Sequence, residues 1–263
     1  MPYILYTILI FKWFHIRYIL ITLTIPHELF KFYGCNYGYF CLYYLIMSNL
    51  NNTLKNQRTQ YDMGELNRND LTESPITQFE NWYQDALSAN CMEANAMNLA
   101  TVDDNEQPSS RIVLLKGVEA NGFVFFTNYN SRKAIQMTNN GRAALNFFWP
   151  ELARQVRIEG ELEKITADQS NDYFALRPRE SQLGAWASAQ SEILESREFL
   201  IDRLSELKEK YRNLVIPRPE HWGGYLLTPH RMEFWQGRPS RLHDRFQYLL
   251  QPNDSWQIDR LSP

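Results

Sequence analysis

Between residues 96 and 128, three short runs rich in β-branched and aromatic side chains are separated only by turn chemistry: 96–102, 111–118 and 122–128. The separators, Asp103-Asp-Asn-Glu-Gln-Pro108 and Glu119-Ala-Asn-Gly122, are too short for a parallel crossover, which takes about a dozen residues. Neighbouring strands must therefore pair antiparallel, as hairpins. Further strand patterns lie at 143–149, 154–166, 224–228, 231–235 and 241–250. A helical region runs to about Tyr211 between the second and third of these. There is no βαβ rhythm and no glycine-rich phosphate loop, which excludes the doubly wound nucleotide folds. The expected class is mainly β with peripheral helices (α+β), closed as a barrel or sandwich.

Helices punctuate this plan. Residues 74–87 carry a proline in the first turn and place Phe79, Trp82, Tyr83 and Leu87 at helical spacing. Residues 196–211 offer Phe199, Leu200, Leu204 and Leu207 as an apolar stripe and read as structural.

The amino end differs from the rest. Residues 1–46 are crowded with Ile, Leu, Tyr and Phe, and the chain turns polar at Ser48-Asn-Leu-Asn-Asn-Thr53. A membrane helix needs about 20 predominantly apolar residues, and Lys12, His15 and Arg17 interrupt the only run of that length. A secretory signal lacks its small-residue cleavage site. The segment reads as a hydrophobic extension from a misplaced start, with translation beginning at Met47, against the alternatives of a membrane anchor or a folded extension. Residues 47–74 are polar and read as a mobile arm, leaving 75–263 as the working domain.

A net charge of −3 excludes wholesale nucleic-acid binding, so any basic site is local. Cys35, Cys41 and Cys91 have neither metal-ligand nor disulfide spacing, and the five histidines have no metal spacing. No metal site is expected. A reducing, cytoplasmic setting fits the cysteines.

Four local patterns point to anions. Read as a strand, 241–250 places Arg241, His243 and Arg245 on one face, either as a cationic wall or as a solvated edge. Ser131 is positioned to cap a helix whose first turn holds Arg132 and Lys133. Cations there oppose the helix dipole unless a phosphate docks on the free N–H groups, although a solvated face has the same pattern. Arg111 and Lys116, an odd number apart, emerge on opposite faces of one strand and so serve two ligands or merely end a buried strand. Asp168 reads as a helix cap, with Tyr173, Arg177 and Ser181 converging near the Pro178 break as a phosphate grip or a solvated face.

The tail Trp235-Gln-Gly, Arg241-Leu-His-Asp-Arg245 and Asp259-Arg-Leu-Ser-Pro263 resembles the C-terminal signature of the pyridoxine (pyridoxamine) 5'-phosphate oxidase family. Matching motifs follow in order from Met47 to Pro263, with Ser262 where the family pattern has alanine. The resemblance implies a split β-barrel homodimer that binds FMN between subunits. It also implies oxidation of pyridoxamine 5'-phosphate or pyridoxine 5'-phosphate by O2 to pyridoxal 5'-phosphate, with release of hydrogen peroxide.

By the same resemblance FMN is held by Arg111, Ile112, Val113, Leu114, Leu115, Lys116, Phe126, Thr127, Arg132, Lys133, Gln155, Gln190, Ser191, Trp235 and Arg245. The substrate phosphate falls to Lys116, Tyr173, Arg177 and Ser181. Arg58 and Tyr61 of the arm reach the substrate, and Arg241 and His243 are the catalytic pair. A non-catalytic split barrel that carries FMN or pyridoxal phosphate is the alternative.

Overall fold

The computed structural model describes residues 50–263 and, as backbone, two strands upstream, β1 (Tyr3–Leu9) and β2 (Leu20–Pro26). The remainder of 1–46, where the start-site and anchor readings fall, lies outside the described residues. The chain divides into two compact units, Met1–Thr59 and Gln60–Pro263. In the first, β1 and β2 pair antiparallel from Tyr3↔Pro26 to Leu9↔Leu20, and residues 50–56 form a short helix, α1. Among the described residues no helix is long and apolar enough to cross a membrane.

The second unit is a closed antiparallel barrel. Its strands are β3 (Ala96–Val102), β4 (Pro108–Glu119), β5 (Gly122–Asn128), β6 (Arg142–Trp149), β7 (Arg154–Lys164) and β8 (Trp222–Gln236). They run in the order β8-β5-β4-β3-β6-β7, and β7 closes back on β8. The fifteen-residue β8 makes this possible. One edge pairs with β7 at residues 225–236, while the other takes β5 at residues 222–227 and β9 (Asp244–Leu250) at 231–236. β10 (Trp256–Leu261) continues the sheet beyond β9.

Alternation along each strand fills the barrel. Leu99, Phe123, Phe125, Leu145, Phe147, Val156, Ile158, Leu227, Met232 and Phe234 are completely buried. Helix α2 (Pro75–Ser88) packs Phe79 onto this core, its ring centroid 4.9 Å from that of Phe123 and 5.0 Å from that of Phe147. The Ser74 side chain accepts from the Thr77 N–H, and Pro75 follows at a position with no N–H to lose.

Four further helices lie among or beside the strands: α3 (Arg132–Asn140), α4 (Ala167–Leu176), α5 (Arg179–Ala187) and α6 (Arg197–Lys210). A smaller core of Phe174, Leu183, Tyr211, Ile216 and Trp222 holds the last three against the N-terminal end of β8. The stripe expected on α6 is partial. Leu204 and Leu207 pack on that core, but Phe199 is half exposed and the helix has no fully buried residue.

Two other expectations need correction. The strands at 224–228 and 231–235 are one strand, because β8 runs through Pro229 with only an irregularity against Glu159 and Gly160. The strand at 241–250 starts at Asp244; Pro239–Arg241 is a 3-10 turn, with Ser240 and Arg241 at positive φ. Within the stretch read as an arm, residues from Leu66 onward contact the barrel. Leu66 and Leu71 are buried, the Leu66 N–H donates to Asp244, and the Thr72 carbonyl accepts from Tyr248.

Candidate active site

A cleft of about 460 Å³ opens where β4, β5, α4 and α5 meet. Its wall from β4 is Ile112, Leu114 and Lys116, which share one face of the strand, together with Val113. Phe126 and Thr127 come from β5, Lys133 from α3, Tyr173 and Arg177 from the end of α4, Ser181 from α5, and Gln190 from the loop beyond. Lys116, Tyr173, Arg177 and Ser181 thus share a cleft with Lys133, while Arg111 and Arg132 lie outside its lining.

At one end lies the grip around Arg177. Thr166, not Asp168, caps α4, because its hydroxyl forms a capping box with Gln169. Arg177 follows the last helical residue in an extended conformation, which carries its guanidinium over Trp222, 4.5 Å from the ring centroid. Phe126 stacks on Tyr173 at 3.9 Å and on Trp222 at 5.3 Å, so the basic end is walled by aromatic rings. Burial lowers the pKa of Arg177, and Nη1 is buried without a hydrogen-bond partner. A buried guanidinium donor left unpaired is costly.

At the other end sits Lys133. Its Nζ donates to Thr127 Oγ1 and Ser131 Oγ, both at 3.1 Å, and to Gln190 Oε1 at 2.9 Å, all neutral acceptors. Burial, then the nearby Arg111 charge, push its pKa down to about 8. Arg111 is likewise held by neutral oxygens, those of Leu99, Thr101 and Ser109. Its pKa is lowered by burial and by Arg132. Ser131 occupies the cap position of α3, but its hydroxyl donates to the Asn128 carbonyl instead of capping the helix. The Arg132 N–H donates to Ser191 Oγ at 3.2 Å. Three cations lie close to one helix start, two of them without a carboxylate acceptor, a concentration of positive charge suited to an anion.

A second constellation stands apart from the cleft lining. Gln155, Trp235 and Arg245 fall in one register row across β7, β8 and β9. His243 packs on Trp235 with ring centroids 4.6 Å apart, and Tyr61 meets both rings at 5.6 and 5.9 Å. Arg245 is paired with the buried Glu233, at 2.8 Å. Arg241 is exposed in its turn and does not share a strand face with His243 and Arg245. Arg58 belongs to the first unit and is exposed. The Leu115 side chain lies in the barrel core, since it alternates away from the cleft. Sequence reasoning missed Glu233, Gln136 and Trp222. The spacing of the motif Glu233-Phe-Trp was visible, but the burial that makes its carboxylate matter was not.

A six-stranded antiparallel barrel with flanking helices and a basic cleft at its side defines the split-barrel class. Its likeness extends to a solved structure, PhzG from Burkholderia lata in complex with tetrahydrophenazine-1-carboxylic acid. The two are 31% identical with a TM-score of 0.73, over 78% of this chain and all of that one. Residues 83–211 match the family described as pyridoxamine 5'-phosphate oxidase, and residues 222–263 match the pyridoxine 5'-phosphate oxidase C-terminal dimerisation region.

The chain belongs to the pyridoxine/pyridoxamine 5'-phosphate oxidase family of enzymes. Relatives with that name include proteins of Cupriavidus necator, 53% identical over 80% of this chain and 99% of the relative, and Trichormus variabilis, 50% identical over 81% and 100%.

Proposed function

We propose that this protein oxidises pyridoxamine 5'-phosphate or pyridoxine 5'-phosphate to pyridoxal 5'-phosphate, using FMN and O2, in vitamin B6 biosynthesis or salvage. The amine reaction consumes water and O2 and releases ammonia and hydrogen peroxide; the alcohol reaction consumes O2 and releases hydrogen peroxide. FMN, when bound, supplies the two-electron chemistry. The single observation that carries the reading is the meeting in one cleft of Lys116, Arg177 and Lys133, the last held only by neutral acceptors.

On this reading Lys116, Tyr173, Arg177 and Ser181 hold the substrate phosphate. Arg111, Arg132, Lys133, Thr127, Gln190 and Ser191 hold the flavin phosphate and its neighbourhood, with Ile112, Val113, Leu114 and Phe126 along the flavin. Arg241 and His243 orient the substrate carbon that is oxidised, while Gln155, Trp235 and Arg245 meet the flavin from the other side. Arg58 and Tyr61 cover the substrate.

The assembly is a homodimer in which one protomer supplies the cleft and its partner the tail constellation. One feature supports that arrangement: Ile112, Leu114 and Phe148 leave apolar surface open on the barrel.

The test is incubation of the purified, flavin-loaded full chain with pyridoxamine 5'-phosphate in air, following aldehyde and peroxide. Formation of both in equal amounts is expected. A flavin-loaded protein that binds the vitamer and yields neither product overturns the proposal in favour of a carrier.

A further inference from the structure

We propose that Gln136 is a positioning residue that holds Arg111 charged and aimed for the flavin phosphate, through a relay of two hydroxyl groups. The inference rests on the reading of Arg111 given above and adds a residue and a mechanism to it.

Thr101 on β3 and Ser109 on β4 are register partners, so pairing of the strands sets their hydroxyls side by side. Arg111 Nη1 donates to Thr101 Oγ1 and Nη2 donates to Ser109 Oγ, both at 2.7 Å. A guanidinium only donates, so each hydroxyl accepts here and has one proton left to give. Both give it to the same atom. Thr101 Oγ1 donates to Gln136 Oε1 at 2.6 Å, and Ser109 Oγ donates to it at 3.0 Å. Turning the amide over would present N–H groups to both hydroxyls. Their protons would then have only one another, across 3.5 Å. The hydrogen-bond chemistry therefore selects the orientation in which the Gln136 carbonyl faces the relay.

The relay ends in a neutral amide. A carboxylate at this position would compensate Arg111 internally, as Glu233 compensates Arg245. An amide fixes the guanidinium and leaves its full charge for an external anion. Gln136 also sits on α3, one turn beyond Arg132 and Lys133, so the same bonds set Arg111 relative to the other two cations. Gln136 Nε2 is itself buried with no partner, so the carbonyl makes all the side-chain hydrogen bonds of this amide.

The experiment compares apoprotein affinity for FMN and for riboflavin, which lacks the phosphate, by quenching of flavin fluorescence. The wild-type ratio of the two affinities measures the phosphate contribution. Gln136→Glu and Gln136→Leu are expected to reduce FMN affinity about tenfold or more, while riboflavin affinity changes less than about threefold. Ser109→Ala, which removes one arm of the relay from a half-exposed site, should reduce the ratio in the same direction and serves if the Gln136 variants do not fold. Parallel loss of both affinities would mark a purely structural role, and an unchanged ratio in a folded variant would also overturn the inference. A wild-type protein that binds the two flavins equally would instead sink the underlying reading of the phosphate site.

Discussion

The backbone N–H of Arg238 donates to Nδ1 of His243 at 3.1 Å. The accepting nitrogen has no proton, so the neutral ring carries its hydrogen on Nε2. Burial, and then the charges of Arg241 and Arg245, lower the pKa of His243. His243 is thus a neutral donor through Nε2 at physiological pH, with no free lone pair to serve as a base. Nitrogen-15 spectra of the imidazole should show a pyridine-like Nδ1 and a pyrrole-like Nε2, titrating below the ordinary histidine range. The opposite pattern would remove this assignment.

Arg177→Ala takes away the guanidinium whose Nη1 has no internal partner. Steady-state kinetics should show KM for pyridoxamine 5'-phosphate raised about tenfold or more with little change in kcat, the signature of lost ground-state binding. An unchanged KM would contradict its place in the substrate grip.

Arg241→Leu should behave differently. Its side chain is exposed in the turn before β9, where no barrel packing depends on it. Turnover is expected to fall on the order of tenfold to a hundredfold, from lost orientation of the reacting carbon. Flavin content per protomer should remain near that of the wild type. Equal loss of flavin and turnover would show that Arg241 acts on the cofactor.

On the proposed reading, Lys133 makes flavin binding depend on pH. Its folded pKa of about 8 lies below the ordinary 10.5, so protonation is disfavoured in the apoprotein. This group alone makes the apoprotein more stable as pH rises through 8 toward 10.5, where the unfolded chain still binds the proton. A bound dianion reverses the effect by favouring the ammonium form. FMN affinity should therefore fall as pH rises above about 8, with proton uptake on binding detectable by calorimetry in two buffers of different ionisation enthalpy.

Phe79→Ala probes the barrel. The ring is fully buried between Phe123 and Phe147 and joins α2 to the strands. Its truncation should cost about 3–5 kcal/mol, measured by chemical denaturation, without altering the identity of the bound flavin.

Several of these residues were legible beforehand because their signals are local. The cation pair of Arg132 and Lys133, the odd spacing of Arg111 and Lys116, and the helix end carrying Tyr173 and Arg177 are all short-range patterns. Two of the readings that failed did so for equally physical reasons. Alternation over 241–250 suggested a strand, but Pro239 and the positive φ of Ser240 and Arg241 make a turn that delays β9 to Asp244. Asp168 looked like a cap, yet Thr166 two residues earlier forms the reciprocal bond with Gln169.

By itself the amino-acid sequence determined most of the barrel strands, the hairpins joining the first of them and the residue types available to bind anions, since periodicity and turn chemistry act over a few neighbouring residues. Tertiary structure alone decided that β8 closes the barrel with both β7 and β5, that Lys116 and Arg177 share a cleft with Lys133, and that Gln136 completes the setting of Arg111. Those relations join residues tens of positions apart. They arise only when burial of the core brings the strands into register, and burial is also what leaves a charge or an amide dependent on the few partners within its reach.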